Sequence, residues 1–222
     1  MRTNNSEISV DEYYHVFNRG VEKKPVFLDK RDYARFLFLI LYFQSPTGFY
    51  NLSRPVTSFV RSLTFNVDKE KEAAVIKNRT IELGAFCLIP NHFHLLIREV
   101  EEKGTAKYMQ RVLTAYAKYF NTKYKHSGHV FQGTYKVNHV EDNDQLLYLS
   151  AYIHKNPQNY TSYPWSSYSN YTKKNSWPKL LNVENILDQF KNQKEYADWV
   201  KETTAKEIGD IITPHDVDML EV

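Results

Sequence analysis

The 222-residue chain holds a single cysteine, Cys87. That excludes a disulfide framework and a thiolate metal cluster. A lone thiol inside the apolar run before His92 reads as an inert core residue. Long apolar runs are also missing, since none approaches the ~20 residues needed to span a bilayer. Met1 to Val10 is polar and lacks the apolar core of a secretory signal. The expectation is therefore a cytoplasmic chain with no membrane partner. Neither sign of charge dominates, the net being +3. Its distribution is uneven: Lys103 to His139 carries seven Lys/Arg and no Asp or Glu, so the remainder sums to 3 − 7 = −4.

Apolar residues make up 42% of the chain and charged residues 25%, enough for a real core and a solvated surface in one large domain with or without an appendage. Aromatics are dense, at 15% with 17 tyrosines. Tyrosines interleaved with basic residues suit single-stranded nucleic acid, where bases stack on rings and phosphates meet cations. The same composition also describes half-buried tyrosines beside a solvated basic face.

The run Tyr13 to Gly20 reads as a first strand stopped by its Asn18-Arg19-Gly20 turn signal. Asp29 or Asp32 can cap a helix whose apolar stripe is Phe36, Leu37, Leu39, Ile40 and Phe43. Gln44 to Ser53 reads as loop, and Pro55 to Asn78 is ambiguous apart from a short charged helix over Lys69 to Lys77. Ile81 to Leu88 and His92 to Val100 are strands around a Pro90-Asn91 break. Thr105 is expected to cap a long helix, Ala106 to Tyr124, in which Lys107, Arg111 and Lys118 share a face. Val130 to Val140 reads as a fourth strand. A helix capped by Asp142, Asn143 or Asp144 then runs to about Asn156, where Pro157 stops it. Tyr160 to Trp177 reads as irregular, and Val183 to Phe190 and Glu195 to Lys206 as short helices. Few strands, long helices and adjacent second and third strands give an α+β fold with an antiparallel sheet.

Chemistry concentrates in Ile89 to Ile97. In a strand, residues i and i+2 point to one side, so His92 and His94 aim their imidazoles at one spot. Such a pair is half a metal site, or else a polar strand edge. Tyr148, Tyr152 and Asn156, spaced i, i+4, i+8, lie on one helical face. The Asn156 amide oxygen can complete a site begun by the imidazoles, although Asn before Pro also commonly ends helices. Tyr152, one turn earlier, would place a hydroxyl beside the ion, an arrangement suited to attack on a metal-polarised phosphodiester. His154 falls on a different face and reads as structural or DNA-facing.

The runs Pro90-Asn91-His92-Phe93-His94-Leu95-Leu96 and Tyr152-Ile153-His154-Lys155-Asn156-Pro157 resemble those of the REP-associated tyrosine transposases. That group belongs to the single-tyrosine, His-hydrophobic-His transposases of single-stranded DNA. Tyr14 to Gly20, Tyr119-Phe120-Asn121, Gly128 to Gly133 and Trp165-Ser166-Ser167-Tyr168 match in the same order, so the likeness covers roughly residues 13 to 170. The resemblance implies a ferredoxin-like antiparallel β-sheet flanked by α-helices, to which the sequence adds extra C-terminal helices. It implies Mg²⁺ or Mn²⁺ held by His92, His94 and Asn156, and Tyr152 as nucleophile, forming a 5′-phosphotyrosine. The implied partner is single-stranded or hairpin DNA, with a homodimer possible.

Arg19, Lys107, Arg111, Lys118, Lys123 and Lys136 are the candidate phosphate contacts. Tyr148 is read as a packing residue rather than a second nucleophile. Residues 1–170 are expected to form the catalytic domain and 171–222 a helical appendage packed on it. Residues 46–78 and the C-terminal stretch depart from the family pattern. Two other functions fit the same residues: a DNA-binding regulator that retains the fold without catalysis, and a metal-dependent phosphodiesterase using water.

Overall fold

The computed structural model describes residues 8–211. Most of the polar N-terminal stretch and the last eleven residues of the expected appendage lie outside this range. Four strands, β1 (Tyr13–Arg19), β2 (Ile81–Ile89), β3 (His92–Glu99) and β4 (Lys136–His139), form one sheet in the order β2-β3-β1-β4. Every pairing is antiparallel. The connections β1-α1-β2 and β3-α4-β4 complete the ferredoxin-like topology, with α1 at Lys30–Tyr42 and α4 at Gly104–Tyr124. The α+β expectation is borne out.

Helix α1 starts where its acids direct. Asp29 accepts from the backbone N–H of Arg31 and Asp32, and Asp32 answers in a capping box. All residues from Phe36 to Phe43 are buried, more than one stripe requires. A helix apolar all round must be covered all round. The outer cover is α2 (Ser53–Ser62), with Val56 and Phe59 facing inward, together with Phe49 and Phe65 against Phe38 and Tyr42. The ambiguous segment thus contains a core-forming helix, and α3 occupies Lys69–Lys77 as expected.

Several boundaries differ from the sequence reading. Thr105 is not the cap of α4: that position is Lys103, at φ 61°, and makes no side-chain cap. The buried Glu99 carboxylate caps instead, accepting from the backbone N–H and the hydroxyl of Thr105. β4 is shorter than Val130 to Val140: Phe131 makes an isolated bridge to Gly20, Gly133 follows at positive φ, and regular pairing begins at Lys136. A short helix α6 (Tyr168–Thr172) interrupts the expected irregular stretch. Beyond it lie α7 (Glu184–Leu187), α8 (Gln193–Glu202) and α9 (Ala205–Ile211), the Glu195 to Lys206 helix being split at Thr203.

The sheet has two dissimilar faces. On one, Phe93 of β3 packs with Phe36 of α1 and with Phe131, which also meets Tyr116 of α4. On the other lie α5 (Asn143–Lys155) and, outside it, the C-terminal helices: Trp199 of α8 packs on Tyr148, and Tyr196 of α8 bonds His154 and Ser150. α5 is therefore held between sheet and appendage. Among the described residues, no helix is long and apolar enough to cross a membrane.

Candidate active site

The site is built on β1 and β3. Their antiparallel register sets Phe17 opposite His94 and Arg19 opposite His92. Directly opposed residues share a face, so His15, Phe17, Arg19, His92 and His94 look toward α5. Lys136 joins them, opposite Phe17 on β4 and with its ammonium 5.7 Å from the Phe17 ring centroid.

The tight β2–β3 connection fixes His92. Pro90 O accepts from the N–H groups of Val26 and Phe27, and Asn91 O accepts from that of Gly20. A Cβ at Gly20 would lie 2.1 Å from Lys24 O, so only glycine allows this approach. The Asn91 amide donates to Lys23 O and turns its Oδ1 toward His92 Nδ1, 2.6 Å away. His92 is buried, and desolvation depresses its pKa to about 4, with Arg19 adding to the shift and Asn156 opposing it. The neutral ring carries one proton. With Nδ1–H donating to Asn91, Nε2 is left as a bare lone pair.

That lone pair faces Asn156. His92 Nε2 and Asn156 Oδ1 are 3.0 Å apart, and Asn156 is half-buried at the end of α5. Asn156 retains right-handed helical angles, φ −53° and ψ −43°, although Pro157 follows. The helix is continued to the residue that needs it, against the usual preference before proline. Asp142 caps the other end of α5, accepting from Gln145 N–H.

His94 is fully buried and is held neutral by desolvation and by its histidine neighbours. Its Nδ1 lies 2.9 Å from Nε2 of His15, while its own Nε2 is buried with no hydrogen-bond partner. The Tyr152 ring stands edge-on to both rings, with centroids 5.3 Å from His94 and 5.8 Å from His15. Tyr152 itself is only 2% exposed.

His92, His94, Tyr152 and Asn156 therefore converge within one chain. Among the described residues, no group of three or more His, Cys, Asp or Glu could hold a metal ion, and the oxygen nearest His92 Nε2 is that of the Asn156 amide. The donor set fits a cation: two imidazole lone pairs and an amide oxygen, with one lone pair unpartnered and another aimed at an oxygen.

The remaining predicted residues separate. Arg19 is half-buried beside His92, and Lys136 is exposed on the histidine face. The α4 residues lie on the opposite sheet face. Lys107 pairs with Glu101, and Arg111 donates to the carbonyls of Phe43, Ser45 and Thr47. Lys123 pairs with Asp29 and the buried Asp32. Only Lys118 of the four stays exposed without an ion pair among the described residues. Tyr148 packs on Trp199, away from the histidines. His154 is fully buried between Tyr196 Oη and Ser167 Oγ, a structural position rather than a DNA-facing one. Cys87 is buried, and burial raises its thiol pKa, as expected of an inert core residue. Sequence reasoning assigned no role to His15 and Asn91, the neighbours of the histidine pair. A third histidine two residues before Phe17 was the available signal.

The fold is α+β with ferredoxin-like topology, and its histidine pair, Tyr152 and Asn156 meet on one face of the sheet. Residues 65–156 match the family model described as IS200-like transposase, a span holding both histidines, Tyr152 and Asn156. A solved REP-associated tyrosine transposase bound to a REP hairpin shares the fold, with TM-score 0.51 and 11% identity over 82% of this chain and 93% of that one. Among curated proteins, none matches the chain significantly. The likeness to REP-associated tyrosine transposases read from the motifs is borne out by both comparisons.

Proposed function

We propose that the chain cleaves and rejoins single-stranded DNA near hairpins through a covalent 5′-phosphotyrosine on Tyr152. The observation that carries this reading is the meeting of Tyr152, His94, His92 and Asn156 in one chain, inside the family-matched span. His92 Nε2, His94 Nε2 and Asn156 Oδ1 would hold Mg²⁺ or Mn²⁺. When bound, such an ion neutralises phosphate charge and lowers the cost of developing oxyanions.

The chain's own groups do the rest. The phenolic oxygen of Tyr152 attacks phosphorus in line with the departing 3′-oxygen. An O–P bond forms to tyrosine, the P–O3′ bond breaks, the phenol gives its proton to solvent, and the 3′-oxygen leaves as a hydroxyl. The phosphotyrosyl ester retains the bond energy, so a free 3′-hydroxyl can reverse the step. Arg19 and Lys136 flank the site and meet phosphates of the strand. A homodimer is not needed to assemble the site, because tyrosine and histidines meet within one chain. A hairpin partner is supported by the DNA bound to the structural relative.

Incubation with labelled hairpin oligonucleotides and Mn²⁺ tests the reading. The wild type forms a covalent adduct and Tyr152→Phe forms none. Free 5′-phosphate ends that persist in Tyr152→Phe indicate a water-using phosphodiesterase. Tight binding with no adduct across varied hairpins indicates a non-catalytic regulator. Either result overturns the proposal.

A further inference from the structure

A third histidine stands behind the pair. His15 is 1% exposed on β1, and its Nε2 lies 2.9 Å from His94 Nδ1. The two ring planes are inclined by only 17°, with centroids 5.1 Å apart. A centroid separation so much longer than the nitrogen–nitrogen distance means that the rings meet edge to edge, each nitrogen near the plane of the other ring. Phe17 stacks on His15 at 4.7 Å and holds that ring in place.

One proton lies between these nitrogens, which allows two arrangements. If His15 donates, a neutral His94 must carry its proton on Nε2. That leaves a buried donor without an acceptor, at a cost of roughly 1–3 kcal/mol, and a nitrogen unable to bind a cation. If His94 Nδ1–H donates to His15, then His94 Nε2 is a bare lone pair beside His92. The orphaned Nε2 is then accounted for as a ligand atom.

We propose that His15 is a positioning residue that accepts the Nδ1–H of His94, fixing the tautomer and ring orientation that turn His94 Nε2 toward the cation. His92 is held in the same sense by the Asn91 amide, so each imidazole has one partner behind it. The inference rests on the reading of His92, His94 and Asn156 as cation ligands. It assigns His15 no contact with DNA and no proton transfer.

The test uses the full chain and Mn²⁺ alone. Free Mn²⁺ is counted by electron paramagnetic resonance for wild type, His94→Ala, His15→Phe and His15→Gln, and hairpin binding is measured in EDTA. His15→Phe, which cannot accept, is expected to weaken Mn²⁺ binding roughly 10–100-fold. His15→Gln, whose carbonyl can accept, recovers part of that loss. Hairpin affinity without metal stays within about twofold, a separation that general destabilisation would not give. Long-range ¹⁵N spectra of metal-free wild type should show His94 with a protonated Nδ1 and a bare Nε2. If His94→Ala abolishes Mn²⁺ binding while His15→Phe leaves it unchanged, the inference fails and the cation site stands. If the wild type binds no Mn²⁺, the cation site fails, and a protonated Nε2 on His94 overturns the inference on its own terms.

Discussion

His92 Nε2 and Asn156 Oδ1 lie 3.0 Å apart although 64 residues separate them in the chain. The Asn156 amide thus meets one ring nitrogen of His92 while the Asn91 amide oxygen meets the other, at 2.6 Å. The contact therefore makes Asn156 part of the histidine site, beyond its place at a helix end.

Exchanging the amide at this position separates the two roles. Asn156→Asp keeps an oxygen ligand and adds charge, so Mn²⁺ binding and strand cleavage should persist. Asn156→Leu keeps the helix end but removes the ligand, and Mn²⁺ affinity should fall by at least the roughly 10-fold that loss of an outer-shell partner costs. Isothermal titration of both variants checks this. Equal affinities in Asn156→Leu and wild type would return Asn156 to a purely structural role.

The two tyrosines of α5 should behave oppositely. Tyr148→Phe retains strand cleavage because its ring only packs on Trp199, and Tyr152→Phe loses it. A gel assay on a labelled hairpin oligonucleotide distinguishes them, and loss of cleavage in Tyr148→Phe alone would reverse the assignment.

Arg19 and Lys136 should affect DNA binding, and Lys123 stability. Replacing Arg19 or Lys136 with alanine is expected to weaken hairpin binding and reduce the slope of log affinity against log salt by about one each. Lys123→Ala removes the ion partner of buried Asp32, which still accepts from Tyr119 and Tyr124. Its cost should fall between the ~1 kcal/mol of an exposed pair and the roughly 3–5 kcal/mol of a buried one, read by urea denaturation with little change in salt slope.

Acid should destabilise the fold through His154. Burial between Tyr196 and Ser167 lowers its pKa to about 3, against ~6.5 when unfolded. Below pH 6.5 the unfolded chain takes up a proton that the folded chain refuses. The stabilisation is complete above pH 6.5 and is lost as pH falls toward 3, at about 1.4 kcal/mol per unit. The urea midpoint should drop steeply from pH 6.5 to 4.5, and less steeply in His154→Gln. Parallel pH curves for the two proteins would contradict this.

Much of this architecture was legible from residue pattern. The cap at Asp29, the charged α3, the β2–β3 pair and the Asp142 cap all have local signals, and each element appears where its signal lies. α2 escaped because Leu52 caps it without a side-chain bond and only Val56 and Phe59 anchor it. Its role exists only in relation to α1. β4 is shorter than its β-rich residues suggest: Val130 to Gln132 bond to the chain around Gly20 as an isolated bridge, and Gly133 at positive φ separates them from Lys136. The histidine pair and the Tyr152–Asn156 turn were readable because each is a short-range spacing. His15 was not, since its partner lies 79 residues away and the contact depends on the β1–β3 register. The basic stripe of α4 was visible as a face, but the acids and carbonyls that engage Lys107, Arg111 and Lys123 lie outside that helix.

The central claim is a covalent bond between Tyr152 and the 5′ end of a cleaved strand. Mass spectrometry of proteolytic fragments, after reaction with a hairpin oligonucleotide and Mn²⁺, measures it most directly. The account predicts a 5′-phosphonucleotide on the fragment containing Tyr152, absent in EDTA. Cleaved DNA with that fragment unmodified, or a nucleotide on any other residue, would contradict it.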